Sequence, residues 1–228
     1  MSSNNYELCD ENMTAVPTDY RTIQSNGFGD YKDRGSRFLA YIFPLKSEGS
    51  VKGLLDSLWA DHPKARHICY AYRLGFDGLN QKSSDDGEPS GSAGKPILNQ
   101  LLSADLTFVL GAVVRYFGGI KLGTSGLIQA YKLSTQAAIN SLQIIQLNVN
   151  YIIHIDFTYD LLGDVFSILS RYNIKMDLIQ YGDPIRLTLS LPVESAEQTM
   201  LVLKEYVYQQ HHYNLASNQF EVHFSHLE

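Results

Sequence analysis

The stretch from Asp85 to Pro96, DDGEPSGSAGKP, concentrates carboxylates and small residues between two apolar segments. Asp85, Asp86 and Glu88 could bind a divalent cation through hard oxygen ligands, repel anions or cap the following helix. The small residues at positions 90–94 let a ligand or a second backbone approach closely. Lys95 puts a cation at the start of a helix, against the helix dipole, which suggests a partner for it. A structural loop, a binding surface and a metal or catalytic site are all compatible with these residues.

A second glycine-rich stretch, GGIKLGTSGL at positions 118–127, joins an apolar strand to a helix. Glycines let backbone N–H groups come close to a ligand, and the unpaired N–H groups at a helix start attract anions, phosphate above all. We expect Thr124 or Ser125 to cap this helix. Because the string matches neither GxxxxGK[ST] nor GxGxxG, a phosphate-binding loop and a tight turn that only glycine fits remain alternatives.

Arg115 ends the apolar strand that precedes this second loop. A charge so close to an apolar run usually pairs with a carboxylate, so we expect an ion pair with Asp85, Asp86 or Glu88. A phosphate clamp is the alternative, because the planar guanidinium suits phosphate.

His67 and Cys69 lie two residues apart on one face of a predicted strand, and a Cys–His nucleophile pair is conceivable. Neighbours at i and i+2 on a strand diverge, however, and the sequence offers no third, orienting group. We therefore predict a half-buried structural pair.

The composition indicates a globular protein: 44% of the 228 residues are hydrophobic and 18% are charged. Its two cysteines, Cys9 and Cys69, are too few and too far apart for a disulfide framework or a four-ligand zinc site, which suits a reducing cytosol. The start of the chain does not read as a signal peptide, and no uncharged apolar run reaches the length of about 18 residues that a membrane span needs. We expect a cytoplasmic protein without a membrane partner.

Charge is distributed unevenly along the chain. Residues 1–147 contain 14 Lys+Arg and 14 Asp+Glu, whereas residues 148–228 contain 4 and 10. The net charge of -6 therefore lies in the last third, which would repel a nucleic acid. The shift also predicts a domain boundary near residues 147–150.

The pattern of apolar residues supplies the elements that must position these loops. Residues 36–45, 67–75 and 106–117 read as strands, and residues 50–63, 95–105 and 127–143 as helices. The last third reads as strand, helix, two strands around Gly182-Asp183-Pro184, helix and strand, an order typical of a ferredoxin-like βαββαβ domain. The first twenty residues are polar and read as an arm or an extra strand.

Four strings together resemble the IMPACT/YigZ family, which is defined by the IMPACT N-terminal domain: HICYAYRLG, DDGEPSGSAGKPIL, VVRYFGGIKLG and TSGLIQAY. The resemblance covers roughly residues 30–140 and rests mainly on DDGEPSG-x-AGKP and RYFGG-x-x-LG. The family commonly has threonine at the position of Ser92, which keeps the hydroxyl, and glycine at the position of Ser125. A side chain at Ser125 argues against a loop that wraps tightly around a phosphate.

The resemblance implies an α+β protein of two domains. Residues 1–20 would be a polar arm, residues 21–147 a left-handed βαβ domain of the ribosomal-protein domain 2 type, and residues 148–228 a ferredoxin-like domain. Eukaryotic members carry an additional N-terminal domain that binds a partner of a translation-control kinase. The polar first twenty residues are too short for it, so this chain resembles the bacterial members.

The resemblance implies a fold shared with a domain of a small-subunit ribosomal protein, with domain IV of elongation factor G and with some small-molecule kinases. Its kinship with ribosome-binding domains suggests contact with RNA or the ribosome by analogy of fold. We expect a non-catalytic protein without a cofactor that binds RNA, the ribosome or a translation-related protein through a groove between the two loops. The expected groove residues are Asp85, Asp86, Gly87, Glu88, Pro89, Ser90, Gly91, Ser92, Gly94, Lys95, Arg115, Tyr116, Phe117, Gly118, Gly119, Lys121, Gly123, Thr124, Ser125 and Gly126.

Two other functions remain open at this point. The groove could hold a phosphorylated small molecule, as an enzyme or a binding protein that uses magnesium at Asp85, Asp86 or Glu88. Alternatively, the loops could form a pure protein-interaction surface, with the acidic tail docking a basic partner.

Overall fold

A computed structural model describes residues 16–196, 198–199, 201–202 and 221–226. The chain divides into two compact units, Asp19–Leu147 and a second unit of Met1–Thr18 with Asn148–Glu228. The first fifteen residues of the predicted arm lie outside the described residues, and so does Cys9. Among the described residues, no helix is long and apolar enough to cross a membrane.

The unit Asp19–Leu147 contains seven strands and three helices among its described residues. They are β1 (Asp19–Ile23), β2 (Gly27–Asp33), β3 (Ser36–Pro44), α1 (Gly49–Asp61), β4 (His67–Leu74), β5 (Asn80–Ser84), α2 (Gly94–Ser103), β6 (Val109–Tyr116), α3 (Gly123–Asn140) and β7 (Ile144–Asn148). Strands β1 and β7 pair with each other, and the other five form a sheet in the order β2-β3-β6-β4-β5.

All neighbours in the five-stranded sheet are antiparallel, and its two faces are covered by different helices. Side chains alternate between the faces of a strand. Phe38 and Val113 therefore pack in one core with residues of α2 and α3, whereas Leu39 and Val114 pack with Leu58 of α1 in another. As predicted, His67 and Cys69 share one face of β4.

Two βαβ units share this sheet. Helix α1 connects β3 to β4 across β6, and α2 connects β5 to β6 across β4. In each unit the two strands are both antiparallel to the strand between them, so they are parallel to each other. Because α1 and α2 lie on opposite faces, the two crossovers have opposite hands. One of them is therefore left-handed, a rare arrangement in proteins.

The second unit contains an antiparallel sheet with the order β11-β8-β10-β9. Its elements are β8 (Asn150–Phe157), a 3-10 turn (Tyr159–Leu161), α4 (Leu162–Arg171), β9 (Leu178–Gln180), β10 (Ile185–Pro192), helical residues at 193–196, 198–199 and 201–202, and β11 (Glu221–His226). The β9–β10 hairpin turns around Gly182-Asp183-Pro184, as predicted. The rest of the predicted second helix lies outside the described residues.

The structure corrects the sequence-based assignment at several elements. Strands β2, β5 and β7 were not predicted, because their exposed or glycine-containing residues lack a continuous apolar pattern. Helix α3 begins at Gly123 rather than at Leu127, so it includes half of the second glycine-rich stretch. Overall, the chain is an α+β protein, as predicted.

Candidate functional site

The two glycine-rich loops lie at the same end of the five-stranded sheet. His67, the first residue of β4, pairs with Arg115 near the end of β6. The loop at residues 85–93 follows β5 and contacts the start of β4, and the loop at residues 117–122 follows β6. Helices α2 and α3 therefore both begin at this end of the sheet.

Asp85 holds the start of α2. Its Oδ1 accepts hydrogen bonds from the backbone N–H groups of Ala93 (2.9 Å) and Gly94 (2.8 Å), and its Oδ2 accepts one from Gly91 (2.8 Å). Burial acts to raise the pKa of Asp85, but these three hydrogen bonds together lower it below its ordinary value. The carboxylate is thus a fixed cap of the helix, one of the roles that the sequence left open.

Asp86 fastens the same loop to β4. Its Oδ2 accepts the backbone N–H of Ile68 at 2.7 Å, and its carbonyl oxygen lies 2.6 Å from Nδ1 of His67. Asp86 and Gly87 both have left-handed backbone conformations, with φ of 44° and 83°. This bent backbone is what lets one loop reach both α2 and β4.

Glu88 connects the first loop to β6 and α3. Its side chain is 4% exposed, and its Oε1 lies 2.5 Å from Nη1 of Arg115, whose side chain is 9% exposed. The same oxygen accepts a hydrogen bond from the Tyr131 hydroxyl at 3.0 Å. The ion pair predicted for Arg115 is therefore present, with Glu88 as the partner.

Cys69 extends this buried network. Its Sγ lies 2.9 Å from the carbonyl oxygen of Asp85 and 3.2 Å from the hydroxyl of Tyr131. Burial raises the pKa of the Cys69 thiol, which disfavours the thiolate that a nucleophile requires. His67 is turned to the carbonyl of Asp86 rather than to the thiol. Cys69 is fully buried, whereas the sequence predicted a half-buried pair.

The guanidinium of Arg115 lies between two aromatic rings. Its Cζ is 5.5 Å from the ring centroid of Phe38 and 5.7 Å from that of Phe117, and its Nε is buried without a hydrogen-bond partner in the described part of the chain. Contacts of this kind stabilise a cation over a ring. Arg115 thus braces the two loops from inside, instead of lying on the surface as a free cation.

The second loop combines a packed glycine with open ones. A Cβ at Gly118 would lie 1.9 Å from the carbonyl carbon of Gly35, so only glycine fits there. Gly119 and Gly123 have φ of 87° and 72°, and nothing lies within 4 Å of a Cβ built on either. A ligand can therefore approach the backbone at Gly119 and Gly123, whereas the backbone of Gly118 packs directly against the β2–β3 turn.

The predicted capping of α3 by Thr124 or Ser125 is wrong. The helix begins at Gly123, which puts both hydroxyl residues inside its first turn, and Leu122 at the cap position forms no side-chain hydrogen bond. No acidic side chain occurs in that first turn. The N–H groups at the start of α3 therefore lack the carboxylate that Asp85 supplies to α2.

Lys95 and Lys121 are both exposed, and neither forms an ion pair with another described residue. Phe117 is 46% exposed and Ile120 is 56% exposed on the same loop as Lys121. These four side chains offer charge and apolar surface to a partner.

Tyr116 does not belong to this surface. It follows Arg115 in β6, so its side chain lies on the opposite face of the sheet. There its hydroxyl lies 2.8 Å from Nδ1 of His62, and Nε2 of the same ring lies 2.9 Å from the hydroxyl of Tyr41. Tyr116 is thus part of the α1 side of the sheet and is separated from the two loops by the sheet itself.

The remaining expected residues fall into two groups. Ser92 is buried, and its hydroxyl donates a 2.6 Å hydrogen bond to the carbonyl of Pro89. Pro89, Ser90, Thr124 and Ser125 are exposed. Tyr131, which the sequence analysis did not single out, is the missed member of the candidate site. Its polar hydroxyl among the apolar residues of the predicted helix 127–143 was the available signal.

No group of three or more His, Cys, Asp or Glu side chains among the described residues forms a candidate metal site. Asp85 and Glu88, which could have held a cation, instead bind backbone N–H groups and Arg115. The arrangement can present backbone N–H groups, two lysines and an aromatic ring to an anionic partner.

Comparison with known proteins agrees with the expected family. The family model described as the Impact N-terminal domain matches residues 34–139. The IMPACT family member YvyE of Bacillus subtilis is 32% identical over 166 residues, which are 73% of this chain and 76% of that protein. The IMPACT family member YigZ of Escherichia coli is 41% identical over 109 residues, 47% of this chain and 53% of that protein.

One solved structure, described as a hypothetical protein, matches 90% of this chain and 97% of its own, with a TM-score of 0.64 and 27% identity. The structure described as the two-domain translational regulator Yih1 aligns over 62% of this chain and 55% of its own, at 24% identity and a TM-score of 0.33. The first of these supports the fold over both units.

Proposed function

This chain belongs to the IMPACT family, and from that premise and the geometry of its two loops we propose that it is a non-catalytic RNA-binding protein that acts in translation. The glycine-rich loops at residues 85–94 and 117–126 form the binding groove. Lys95 and Lys121 contact the phosphate backbone, and Phe117 offers a ring for base stacking.

One observation carries this proposal: a buried network fixes an exposed, approachable backbone. Glu88 and Arg115, 2.5 Å apart, join the first loop to the end of β6, from which the second loop begins, while Gly119 and Gly123 leave open space above the backbone. A preformed surface of this kind costs little ordering when it binds a partner. The charge of Glu88 is compensated by Arg115, so this carboxylate opposes an anion less than a free one would.

The role in translation rests on the type of fold. We propose that the unit Asp19–Leu147 is the left-handed βαβ domain of the ribosomal-protein domain 2 type, which its two crossovers of opposite hand support. We propose that the second unit is ferredoxin-like, since its strand order β11-β8-β10-β9 corresponds to order 4-1-3-2 of a βαββαβ chain. RNA within the ribosome is then the natural target by analogy of fold.

The test measures binding of the full chain to ribosomes and to short single-stranded and double-stranded RNA at two salt concentrations. We expect affinity to fall steeply with salt, with a slope of log K against log salt of about 0.7 to 0.9 per phosphate contact. The double variant Lys95→Gln with Lys121→Gln should bind RNA more weakly, and its affinity should depend less steeply on salt. A matched variant, Lys46→Gln with Lys52→Gln, removes two exposed lysines elsewhere on the unit and should bind like the wild type.

Absence of binding to ribosomes and RNA at low salt would refute the proposal. Equal losses in the two double variants would show only general charge attraction and would refute the groove. Arg115 is not a suitable probe, because its replacement would leave Glu88 buried without its ion-pair partner.

A phosphorylated small molecule is the second candidate ligand. The observation that favours it is the start of α3, whose N–H groups have no side-chain cap and no acidic neighbour in the first turn. Binding of a mononucleotide as tightly as of an oligonucleotide would support this alternative.

A further inference from the structure

The strand order brings further cations to the end of the sheet that carries the two loops. The β2–β3 turn contains Arg34 and Gly35, and it lies at this end because Arg37 pairs with Tyr116. The connection from α1 to β4 ends with Arg66, directly before His67. Across the sheet, the β2–β3 turn, the β6–α3 loop and the start of β4 therefore follow one another.

Direct contacts hold these segments together. The backbone N–H of Gly118 donates a 3.1 Å hydrogen bond to the hydroxyl of Ser36, next to the turn that holds Arg34. On the other side, His67 bonds to the carbonyl of Asp86 at 2.6 Å, which fixes Arg66 beside the first loop. The backbone of Arg34 thus lies near the second loop, and that of Arg66 lies near the first.

Both arginines are exposed, and neither takes part in an ion pair with the described residues. Arg37, Arg73, Arg115 and Arg186 all have carboxylate partners within 4 Å. Arg34 and Arg66 are therefore available to an external anion, as Lys95 and Lys121 are.

Carboxylates also lie at this end of the sheet. Asp85 and Glu88 are engaged in the loop network, and Asp86 binds the N–H of Ile68 through Oδ2. Asp33 and Asp61 are the last residues of β2 and α1, and their negative charges make this end less than uniformly positive. Each cation would then contact a particular phosphate, instead of contributing to a uniformly positive surface.

The spacing of the strands sets the size of the ligand. The distance across the sheet from the β2–β3 turn to β4 is two and a half strand spacings, or about 12 Å at about 4.8 Å for each spacing. One phosphate cannot contact cations on both sides of such a distance. A flexible chain of phosphates with bases free to stack on Phe117, which is 46% exposed, fits it better.

We propose that the binding surface extends from the groove to Arg34 and Arg66, and that its ligand is a single-stranded polynucleotide spanning several phosphates. This inference rests on the proposed function and specifies the ligand of the same site. It predicts that affinity increases with oligonucleotide length until both arginines are contacted.

The experiment compares three double variants of the full chain on fluorescent oligouridylates of increasing length: Arg34→Asn with Arg66→Gln, Lys95→Gln with Lys121→Gln, and the control Lys46→Gln with Lys52→Gln. Asparagine is used at position 34 because Arg34 has a positive φ of 43°, which asparagine tolerates. The arginine variant should lower the salt slope for long oligomers by about 1.4, two contacts at about 0.7 each for a single strand. Competition by uridine monophosphate should be the same in that variant as in the wild type.

If the arginine variant binds long oligomers like the control while the lysine variant loses binding, the extended surface is wrong and the groove stands. If neither variant differs from the control, both the extension and the groove are wrong. If uridine monophosphate binds as tightly as the longest oligomer, the ligand is a small molecule and the polynucleotide inference is overturned.

Discussion

At the scale of single residues, Glu88 decides how the site is built. Its carboxylate bonds to both Arg115 and Tyr131, and through them it joins the first loop to β6 and α3. A buried ion pair of this kind need not add much net stability, since both charges lose their hydration. The ion pair instead fixes the conformation of the loop, because both charges are compensated in only one arrangement of the loop.

Removing one partner of this pair should be costly. We expect Glu88→Ala to lower the free energy of unfolding by about 3–5 kcal/mol, because the buried charge of Arg115 would be left uncompensated. Urea denaturation measures this. Lys82→Gln is the control, since Lys82 and Glu48 are 3.9 Å apart with side chains 59% exposed, and it should cost at most about 1 kcal/mol. A cost for Glu88→Ala as small as that of the control would contradict the bracing role.

Asp85 gives a prediction about pH. Its folded-state pKa is lowered, with burial opposing the effect and the hydrogen bonds from Gly91, Gly94 and Ala93 producing it. The ionised carboxylate therefore contributes stability above the unfolded-state pKa of about 3.9, and this contribution is lost as the pH falls through the lower folded-state pKa. Wild type should exceed Asp85→Asn by about 0.5–2 kcal/mol in free energy of unfolding at pH 7.

We expect this difference to stay constant down to about pH 5 and then to shrink as the pH falls. The measurement is urea denaturation of both proteins over a pH series, with Asp56→Asn on the exposed side of α1 as a matched loss of one carboxylate. A difference that grows toward low pH would contradict the role of the charged form.

At the scale of elements, the site depends on α3 lying tightly on the sheet. Helix α3 contacts β2 where β2 has Gly27 and Gly29. A Cβ at Gly29 would lie 2.4 Å from the backbone nitrogen of Ala138 and 2.6 Å from the carbonyl oxygen of Ser134. Strand β2 is an edge strand of the sheet. Because α3 lies so close to it, β2 needs glycine at these positions, and the same helix supplies Tyr131 to the candidate site.

Gly29→Ala should force α3 away from β2. We expect a loss of about 1–3 kcal/mol in free energy of unfolding, because backbone atoms rather than flexible side chains would have to move. Gly53→Ala is the matched substitution on the exposed face of α1, where nothing lies within 4 Å of the new Cβ. It should raise stability by about 0.5–1 kcal/mol through helix propensity. Thermal and urea denaturation would show whether the two substitutions have these opposite signs.

At the scale of the whole molecule, charge separates the two units. The unit Asp19–Leu147 contains 14 Lys+Arg and 11 Asp+Glu, a formal charge of +3, whereas residues 148–228 contain 4 and 10. Since attraction to phosphates dominates nonspecific affinity for nucleic acids, this charge supports the proposal that the first unit binds the RNA.

Cross-linking tests this division. With bound RNA, photo-cross-linked peptides identified by mass spectrometry should come from residues 19–147, above all from the two loops. Cross-links concentrated in residues 148–228 would contradict it and would move the RNA site to the acidic unit. A scrambled RNA of equal length serves to separate general attraction from preference for a sequence.

The sequence by itself determined the family, the α+β class, most helices and strands of the cores, and the positions of the two glycine-rich loops. These follow from local patterns: apolar periodicity, glycine and proline positions, and two long motifs. It also indicated that Arg115 would pair with a carboxylate, because a charge beside an apolar run needs a partner.

Only the tertiary structure decided which residues meet. It selected Glu88 as the partner of Arg115, brought in Tyr131 from α3 and moved Tyr116 to the other face of the sheet. It also placed Arg34 and Arg66 beside the loops, although they are far from them in sequence. The physical reason is that strand order and register arise from long-range pairing across the whole unit, which local patterns do not encode.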